Sequence, residues 1–240
     1  MALTLANHCA GCKAAARRLI DAIEGIVPDG EWRLQIDDLG LTLATRLNGQ
    51  PVRWQYSFSD PALRRRAAQR NQGLLKACNT RRRDIHGVLD LTAGWGRDSF
   101  LLAASGHQVT LVEQQPLIAA CVDFLLQIAR ADDPDSPCHR MRLLTGDGSA
   151  VLQSGETADC LYLDPMFPPH KSGARPGKEL QLLQQLTANR DIEGLFRHAL
   201  AADTRRVVVK RPLHAPPLAG EPPDMDYREK TVRFDVYLKR

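Results

Sequence analysis

A chain of 240 residues is long enough for one large α/β domain, or for one such domain with a small appendage. Its 43% apolar residues, 25% charged residues and net charge of +4 match a soluble globular protein, and no run approaches the roughly 18 consecutive apolar residues of a membrane span. The six cysteines are scattered and the N-terminus lacks a secretory signal, so we expect a cytoplasmic protein without a disulfide framework.

The N-terminal part, residues 1–58, predicts a small β-rich module. Apolar residues spaced by three and four positions predict a short helix over residues 13–24. The stretch after it, EWRLQIDDLGLTLATRLNGQPVRWQYSFS, alternates apolar and polar residues around turn signals at DDLG and NGQP. We therefore expect strands joined by tight turns in this part of the chain.

Residues 59–86 predict a basic helix that links this module to the rest of the chain. In DPALRRRAAQRNQGLLKACN, Asp60 is placed to cap the helix and Pro61 to occupy its first position. Eight Lys and Arg residues and no acid lie between Pro61 and Arg83. Such a block can neutralise the phosphates of a polyanion, although a solvated helix face explains it equally well. The candidate phosphate-binding residues are Arg64, Arg65 and Arg66.

Strands and helices alternate over residues 87–240. The predicted strands are GVLDL, QVTLVEQ, RMRLLTGD, ADCLYLDP, RRVVVKRP and TVRFDVYLK, with helices at RDSFLLAASG and PLIAACVDFLLQIARA. Runs such as VVV and CLYL are typical of strands that are buried on both faces. The pattern predicts an α/β fold with a doubly wound, Rossmann-like sheet that binds its ligand at the carboxyl ends of the strands. The Pro-rich stretch RPLHAPPLAGEPPDMD predicts a loop before the last strand.

A glycine turn follows the first of these strands. LDLTAGWGRDSF places Gly94 and Gly96 between a buried strand and a helix, where a ligand can touch the backbone. Glu113 follows Gly94 by 19 residues, at the end of the next strand, where an acid accepts hydrogen bonds from ribose hydroxyls. Together these features predict a nucleotide site, with Asp90 as a second acid on the same rim.

The residues after the turn favour S-adenosylmethionine over a dinucleotide. Position 99, where the dinucleotide pattern requires a third glycine, is serine. Asp98 would repel a pyrophosphate at the start of the helix, but it suits the cationic sulfonium and ammonium groups of S-adenosylmethionine. Asp147, Gly148 and Ser149 follow a later strand, where they could bind the adenine amine; an ordinary Asp-Gly turn is the alternative.

The stretch LYLDPMF ends a buried strand with Asp164, Pro165 and the aromatic Phe167. It resembles the [Asp/Asn]-Pro-Pro-aromatic motif of methyltransferases that act on the exocyclic amines of bases, with Met166 in place of the second proline. The Asp164 carboxylate and the Pro165 carbonyl would accept the two N–H bonds of the amine and stabilise its developing charge. Phe167 would stack on a base swung out of its helix. A plain Asp-Pro turn, with Phe167 in the core, is the alternative interpretation.

Further cations lie near this loop in the sequence. The stretch HKSGARPGK and the end of the strand RRVVVKRP are expected to hold phosphates around the flipped nucleotide, with a solvated loop as the alternative. The candidates are Lys171, Arg175, Lys178, Lys210 and Arg211.

The stretches LDLTAGWGRDSFLLAASGHQVTLVEQQP, YLDPMFPPHKS and RVVVKRPLHAPPLAG closely resemble the RsmJ family of bacterial small-subunit ribosomal RNA guanine-N2 methyltransferases. The resemblance covers about residues 60–240 and implies S-adenosylmethionine as donor. It implies as acceptor a guanosine near the 3′ end of 16S rRNA in the small ribosomal subunit. The family's cofactor contacts map onto Arg97, Asp98, Glu113, Gln114, Gly148, Ser149 and Asp164, with Gln114 where the family usually has arginine.

Two other functions stay open at this point. A DNA adenine-N6 methyltransferase would use the same catalytic loop, although the chain leaves no room for a target-recognition domain of ordinary size. A methyltransferase fold kept only as an rRNA-binding assembly factor would not need Gly94, Gly96, Glu113 and Asp164. No metal is expected, because Cys9 and Cys12 lack a second pair at zinc spacing.

Overall fold

The structure is a computed structural model. The residues that it describes are 2–7, 13–23, 31–37, 40–47, 50–69, 72–78, 85–165 and 191–239.

A small sheet forms the N-terminal part of the chain. Its strands are β1 (Ala2–Asn7), β2 (Glu31–Asp37), β3 (Gly40–Leu47) and β4 (Gln50–Tyr56), and α1 (Lys13–Ile23) lies between the first two. The strands are ordered β1-β2-β3-β4; β1 is parallel to β2, and the other pairs are antiparallel. The predicted helix and β-rich character are confirmed, while β1 was not anticipated from the sequence.

The linking segment begins as predicted. The helix α2 (Pro61–Ala67) starts with Pro61, and the Asp60 carboxylate accepts hydrogen bonds from the backbone N–H groups of Ala62 and Leu63 at 2.6 and 3.3 Å. These are N–H groups of the first turn that have no partner within the helix itself. The capping residue and the proline after it therefore marked the start of this helix correctly.

The prediction of one continuous basic helix was wrong. A second short helix, α3 (Gly73–Ala77), follows α2, and Gln72 stands between them. The Gln72 amide donates to the carbonyls of Arg66 and Gln69 at 2.7 and 2.8 Å, so it satisfies carbonyls at the end of α2. The carboxylate of the distant Glu229 accepts the N–H of Gly73 at 2.6 Å. A long-range contact thus caps the start of the second helix.

The larger sheet contains seven strands. They are β5 (Gly87–Asp90), β6 (Gln108–Glu113), β7 (Met141–Thr145), β8 (Cys160–Leu163), β9 (Arg206–Pro212), β10 (Met225–Arg228) and β11 (Val232–Leu238). The accompanying helices are α4 (Arg97–Ala104), α5 (Pro116–Asp132), α6 (Gly148–Gln153) and α7 (Ile192–Ala201). The α/β Rossmann-like class expected from the alternation is confirmed.

The order of these strands is β10-β11-β9-β8-β5-β6-β7. Strands β5 to β9 are mutually parallel, and β10 and β11 are antiparallel additions at one edge. The chain runs outward from β5 to one side and returns to the other at β8, so the switch point where such sheets bind ligands lies between these two strands. The six predicted strands are present. The prediction that RPLHAPPLAGEPPDMD forms a loop is wrong at the end of that stretch, where β10 begins and pairs with β11. An edge strand needs a pairing partner on one side only, so a polar stretch can form one without an apolar pattern that would reveal it.

The two sheets share one hydrophobic cluster. Along β4, residues alternate between exposed and buried, and the buried face carries Trp54. The Trp54 ring stacks on Trp95 with ring centroids 3.6 Å apart, and Phe58 stacks on Phe100 at 5.6 Å. Trp95 lies in the glycine turn and Phe100 in α4, so the small sheet packs directly on the segment that follows β5. The predicted division of the chain into an N-terminal module, a linking segment and a main domain, at residues 58/59 and 86/87, stays a prediction. No helix within the described ranges is long and apolar enough to span a membrane.

This packing generates a first prediction. Trp54→Ala should lower the free energy of unfolding by about 3–5 kcal/mol, because the variant lacks a buried aromatic ring and its stacking on Trp95. Urea unfolding followed by circular dichroism measures the change. Arg53→Ala, on the exposed face of the same strand, is the matched control and should change stability by less than about 0.5 kcal/mol. Equal stability of the two variants would contradict a shared core.

Candidate active site at the carboxyl ends of the parallel strands

The glycine turn between β5 and α4 uses its two glycines for different reasons. Gly94 and Gly96 both have positive φ, of 52° and 74°. A Cβ on Gly96 would lie 2.9 Å from the Leu111 side chain and 3.3 Å from the Phe58 ring, so the protein's own packing requires glycine there. A Cβ on Gly94 would meet nothing within 4 Å. Gly94 therefore borders open space in which a ligand can approach the backbone.

Glu113 stands directly beside this turn. Its side chain is buried, with one carboxylate oxygen accepting the N–H of Gly94 at 2.9 Å and the other that of Gln115 at 2.7 Å. A carboxylate oxygen can accept more than one hydrogen bond, so a ribose hydroxyl is a chemically suitable donor to this group. The structure thus brings together the acid and the glycine that the sequence spacing paired. The role of Glu113 in ribose binding stays a prediction.

Asp90 is fixed inside the protein at the end of β5. It is 2% exposed, and its two oxygens accept hydrogen bonds from the Thr92 N–H at 3.1 Å and the Ser99 hydroxyl at 2.6 Å. Burial raises the pKa of Asp90 to about 7, although the two hydrogen bonds oppose the shift. Ser99, at the position of the absent third glycine, is fully buried and ties α4 to the strand end. This placement gives Asp90 a role in shaping the turn.

Four side chains form a cluster at the carboxyl ends of β8 and β9, which we call the carboxylate–lysine cluster: Asp98, Tyr162, Asp164 and Lys210. The Lys210 ammonium donates to Asp98 at 2.8 Å and to Asp164 at 2.7 Å. The Tyr162 hydroxyl donates to the same Asp98 oxygen at 2.7 Å. The cluster joins the first turn of α4 to two neighbouring strands, and it contains two carboxylates and one cation.

The charges in this cluster shift one another's protonation. Burial raises the pKa of Asp98, but the charge and hydrogen bond of Lys210 and the hydroxyl of Tyr162 outweigh it, so that pKa is lowered. For Asp164, burial outweighs the opposing charge of Lys210, and the pKa is raised. Burial would lower the pKa of Lys210, yet the two carboxylates raise it above its ordinary value. Lys210 is therefore a permanent cation between the two acids.

The catalytic candidate Asp164 is also held through its backbone. Its N–H donates to the hydroxyl of Thr92, at 2.6 Å, and Thr92 belongs to the glycine turn. The next residue, Pro165, is buried. This bond joins the loop after β8 to the turn after β5, so the predicted catalytic and cofactor segments are adjacent. Phe167 lies outside the described residues.

A third group of candidates lies at the end of β7. Asp147 caps α6, accepting the N–H groups of Ser149 and Ala150 at 2.9 and 3.1 Å, so it acts first as a helix cap. A pocket beside it is lined by Leu91, Gln114, Gly146, Asp147, Gly148, Asp191, Ile192 and Leu195. The three lining residues from the start of α7 were not anticipated, since nothing near them in the sequence marks a site. Thr92 and Tyr162 were not anticipated either, although they lie within the quoted motifs.

The candidate phosphate-binding residues fall into two groups in the structure. Arg64, Arg65 and Arg66 are exposed on α2; Arg64 forms an ion pair with Asp133 at 3.0 Å, and the charge of Arg66 lowers the pKa of both carboxylates of the cluster. Arg97, a cofactor-binding candidate, is also exposed, and its guanidinium lies over the Tyr56 ring, 5.2 Å from the ring centroid.

Lys210 and Arg211 are placed differently from the expectation. Lys210 is enclosed in the carboxylate–lysine cluster, and Arg211 is 7% exposed and donates to the Pro216 carbonyl at 2.6 Å. Neither placement supports a phosphate contact. Lys171, Arg175 and Lys178 lie outside the described residues.

A glycine turn with its acid, next to an Asp-Pro loop on the adjacent parallel strand, defines an S-adenosylmethionine-dependent methyltransferase of the Rossmann-like class. The family described as "Putative SAM-dependent methyltransferase" matches residues 25–239. The chain is 39% identical to ribosomal RNA small subunit methyltransferase J of Pseudomonas aeruginosa, over 96% of this chain and 92% of that protein. The proteins of the same name from Thioalkalivibrio sulfidiphilus and Alteromonas mediterranea are 38% identical, over 85% and 88% of this chain and 84% of each relative. The chain belongs to the ribosomal RNA small subunit methyltransferase J family.

A solved structure supports the same fold over the whole chain. The SAM-dependent methyltransferase of Neisseria gonorrhoeae superposes with a TM-score of 0.71 at 28% identity, and the match covers 99% of this chain and 96% of that one. The small N-terminal sheet is thus included in the similarity.

The buried Asp90 generates a second prediction. Its folded pKa of about 7 lies above the ordinary value, so between roughly pH 4 and 7 the folded state keeps a proton that the unfolded state releases. Rising pH therefore removes stability across this window, by up to about 1.4 kcal/mol per pH unit. Asp90→Asn stays neutral and should gain stability relative to wild type as pH rises, with the difference levelling above pH 7.

Urea unfolding of both proteins at pH values between 4.5 and 8 measures this difference. The matched control is Asp135→Asn, which removes one negative charge at an exposed loop position. Parallel stability curves for wild type and Asp90→Asn would show that Asp90 does not titrate in this window.

Proposed function

We propose that this protein transfers a methyl group from S-adenosylmethionine to the exocyclic N2 of a guanosine in 16S rRNA of the small ribosomal subunit. The observation that carries the proposal is the adjacency of the Asp164–Pro165 loop and the Gly94 turn, joined by the Thr92 hydrogen bond. The relatives named ribosomal RNA small subunit methyltransferase J supply the class of acceptor. The proposed location is the cytoplasm.

The residues around the turn fit S-adenosylmethionine. A Cβ on Gly94 would meet nothing within 4 Å, the buried Glu113 carboxylate accepts the N–H of Gly94, and a small separate pocket lies at Gln114 and Gly148 near the end of β7. The Asp98 and Asp164 carboxylates give the rim a negative character that suits a cation. When bound, S-adenosylmethionine supplies a methyl group that its positive sulfonium already activates, so the proposed reaction requires no metal.

Asp164 and Pro165 would orient the acceptor. An exocyclic base amine is a poor nucleophile, because its lone pair is delocalised into the ring. Acceptance of its two N–H bonds by the Asp164 carboxylate and the Pro165 carbonyl directs the lone pair toward the donor and stabilises the positive charge that develops on nitrogen. After transfer, the surplus proton on the nitrogen passes to water. The proposed stacking of Phe167 on the flipped base rests on the sequence alone.

The basic helix α2 would supply phosphate contacts. Arg65 and Arg66 are exposed, and Arg66 is close enough to the catalytic pocket for its charge to act on Asp164. Contacts of this kind position a nucleic acid without reading its sequence. An RNA strand along α2 would thus be held next to the pocket that receives the target base.

The direct test of the proposed function is transfer of labelled methyl groups. Acceptors would be small ribosomal subunits that lack the modification, free 16S rRNA and duplex DNA, followed by nucleoside analysis. We expect N2-methylguanosine from RNA, and Asp164→Ala should reduce turnover by about 10²-fold or more while S-adenosylmethionine binding persists in part. Asp135→Ala is the control for removal of a carboxylate.

Each alternative gives a different result in this assay. Methylated adenine in DNA would identify a DNA enzyme. Donor binding without transfer to any of these acceptors would contradict the proposed acceptor and leave either another RNA substrate or an assembly factor. Full turnover by Asp164→Ala would contradict the role given to that carboxylate.

The basic helix generates a further prediction. The double variant Arg65→Ala, Arg66→Ala should weaken RNA binding and reduce the slope of log affinity against log salt by about 0.7–0.9 for each phosphate that the protein no longer neutralises. Filter binding at several salt concentrations measures both quantities. A matched double variant, Arg17→Ala with Arg197→Ala, removes two arginines with side-chain exposures of 77% and 66% outside α2. An equal effect of the two double variants would contradict a specific role for α2.

A further inference from the structure

The position of Lys210 follows from the strand register. Strands β8 and β9 are parallel, with Leu163 opposite Val209, so the next residues along, Asp164 and Lys210, emerge side by side at the carboxyl edge of the sheet. The Lys210 side chain is 20% exposed and its ammonium lies 2.7 Å from the Asp164 carboxylate. The pairing of a catalytic carboxylate with this lysine is therefore built into the sheet.

The ammonium group is fixed from a second direction as well. It donates to Asp98 at 2.8 Å, and the Tyr162 hydroxyl holds the same Asp98 oxygen at 2.7 Å. A lysine ammonium has three N–H donors, so two of them are used by carboxylates that come from α4 and from the end of β8. An ammonium group held in this way can move away to an RNA phosphate only by breaking two charged hydrogen bonds, each stronger than a neutral one.

From this geometry we infer that Lys210 is a positioning residue for methyl transfer, holding the Asp164 carboxylate ionised and turned toward the acceptor amine rather than gripping a phosphate of the RNA. The inference rests on the proposed function. Lys210 binds the Oδ2 atom of Asp164, so under this inference Oδ1 would accept the N–H of the acceptor amine.

The charges around Asp164 explain why a cation is required. Among the described residues, five have an electrostatic interaction with Asp164, and they come from five different elements: Arg66 on α2, Asp90 on β5, Asp98 on α4, Tyr162 on β8 and Lys210 on β9. Burial and the Asp98 charge raise the pKa of Asp164, while Lys210 and Arg66 lower it. A protonated Asp164 would be a weaker acceptor and would not stabilise a positive nitrogen. Activity should therefore fall as pH drops through the pKa of Asp164.

The test is the pH profile of kcat for Lys210→Met and Lys210→Arg, with saturating S-adenosylmethionine and small ribosomal subunits as acceptor. Removing an opposite charge at hydrogen-bond distance should move the acid limb of Lys210→Met upward by about one to three pH units. On that acid limb, kcat should fall about tenfold for each pH unit by which the pH is lowered. The KM for RNA and its salt dependence should stay as in wild type, and Lys210→Arg should restore an acid limb close to that of wild type.

Lys210→Gln keeps hydrogen-bond donors without the charge, and it replaces Lys210→Met if circular dichroism shows that the latter does not fold. The same upward shift is expected for it. An unchanged acid limb in the neutral variants, together with a raised KM for RNA and a smaller salt slope, would assign Lys210 to phosphate binding and overturn the inference. An unchanged limb with an unchanged KM would overturn it too.

The activity of the wild-type protein distinguishes failure of this inference from failure of the proposed function. If it makes no N2-methylguanosine from any RNA acceptor, the proposed function fails, and the inference about Lys210 fails with it. If wild type is active and the neutral variants keep its pH profile, only the inference fails.

Discussion

The parallel pairing of β5 with β8 is the constraint on which the site depends. It places the turn after one strand beside the loop after the other, and two hydrogen bonds join them at this edge, from Leu91 N–H to the Tyr162 carbonyl at 2.9 Å and from Asp164 N–H to the Thr92 hydroxyl at 2.6 Å. A crossover between these strands brings together segments about seventy residues apart in the chain. Donor and acceptor binding can therefore be adjacent although their sequence motifs are not.

The small N-terminal sheet supports this arrangement from the other side of the turn. Trp54 stacks on Trp95, which lies between the two glycines, and the Phe58 ring would be 3.3 Å from a Cβ on Gly96. A turn with two left-handed residues has few contacts of its own, because glycine has no side chain with which to pack. The Trp54 ring from the second sheet and the Phe58 ring just after that sheet supply this packing. The sheet thus belongs to the architecture of the site even if it contacts no ligand.

The parts of the molecule that could be predicted from the sequence are those that local chemistry determines. Asp60 caps a helix by accepting a backbone N–H group two residues on, and Pro61 occupies the first helical position. The Gly94–Glu113 spacing reflects one strand–turn–helix–strand unit of fixed size. The features that were not predicted depend on residues far along the chain. The break between α2 and α3 uses Glu229, β10 exists only because β11 offers an edge, and the enclosure of Lys210 requires Asp98 from another element. Patterns within a window of residues contain no information about such partners.

The distribution of charge in the site reconciles two opposite requirements of the proposed reaction. A cationic donor favours a negative pocket, whereas RNA, a polyanion, favours a positive surface. The structure separates the two, with Asp98 in the first turn of α4, Asp164 at the end of β8 and exposed arginines on α2. Where the two regions meet, the charges of Lys210 and Arg66 act on both carboxylates and reduce their repulsion of a phosphate backbone. The half-buried lysine offsets one of the two carboxylate charges, so the proposed donor pocket can stay anionic while a base enters it from a negatively charged strand.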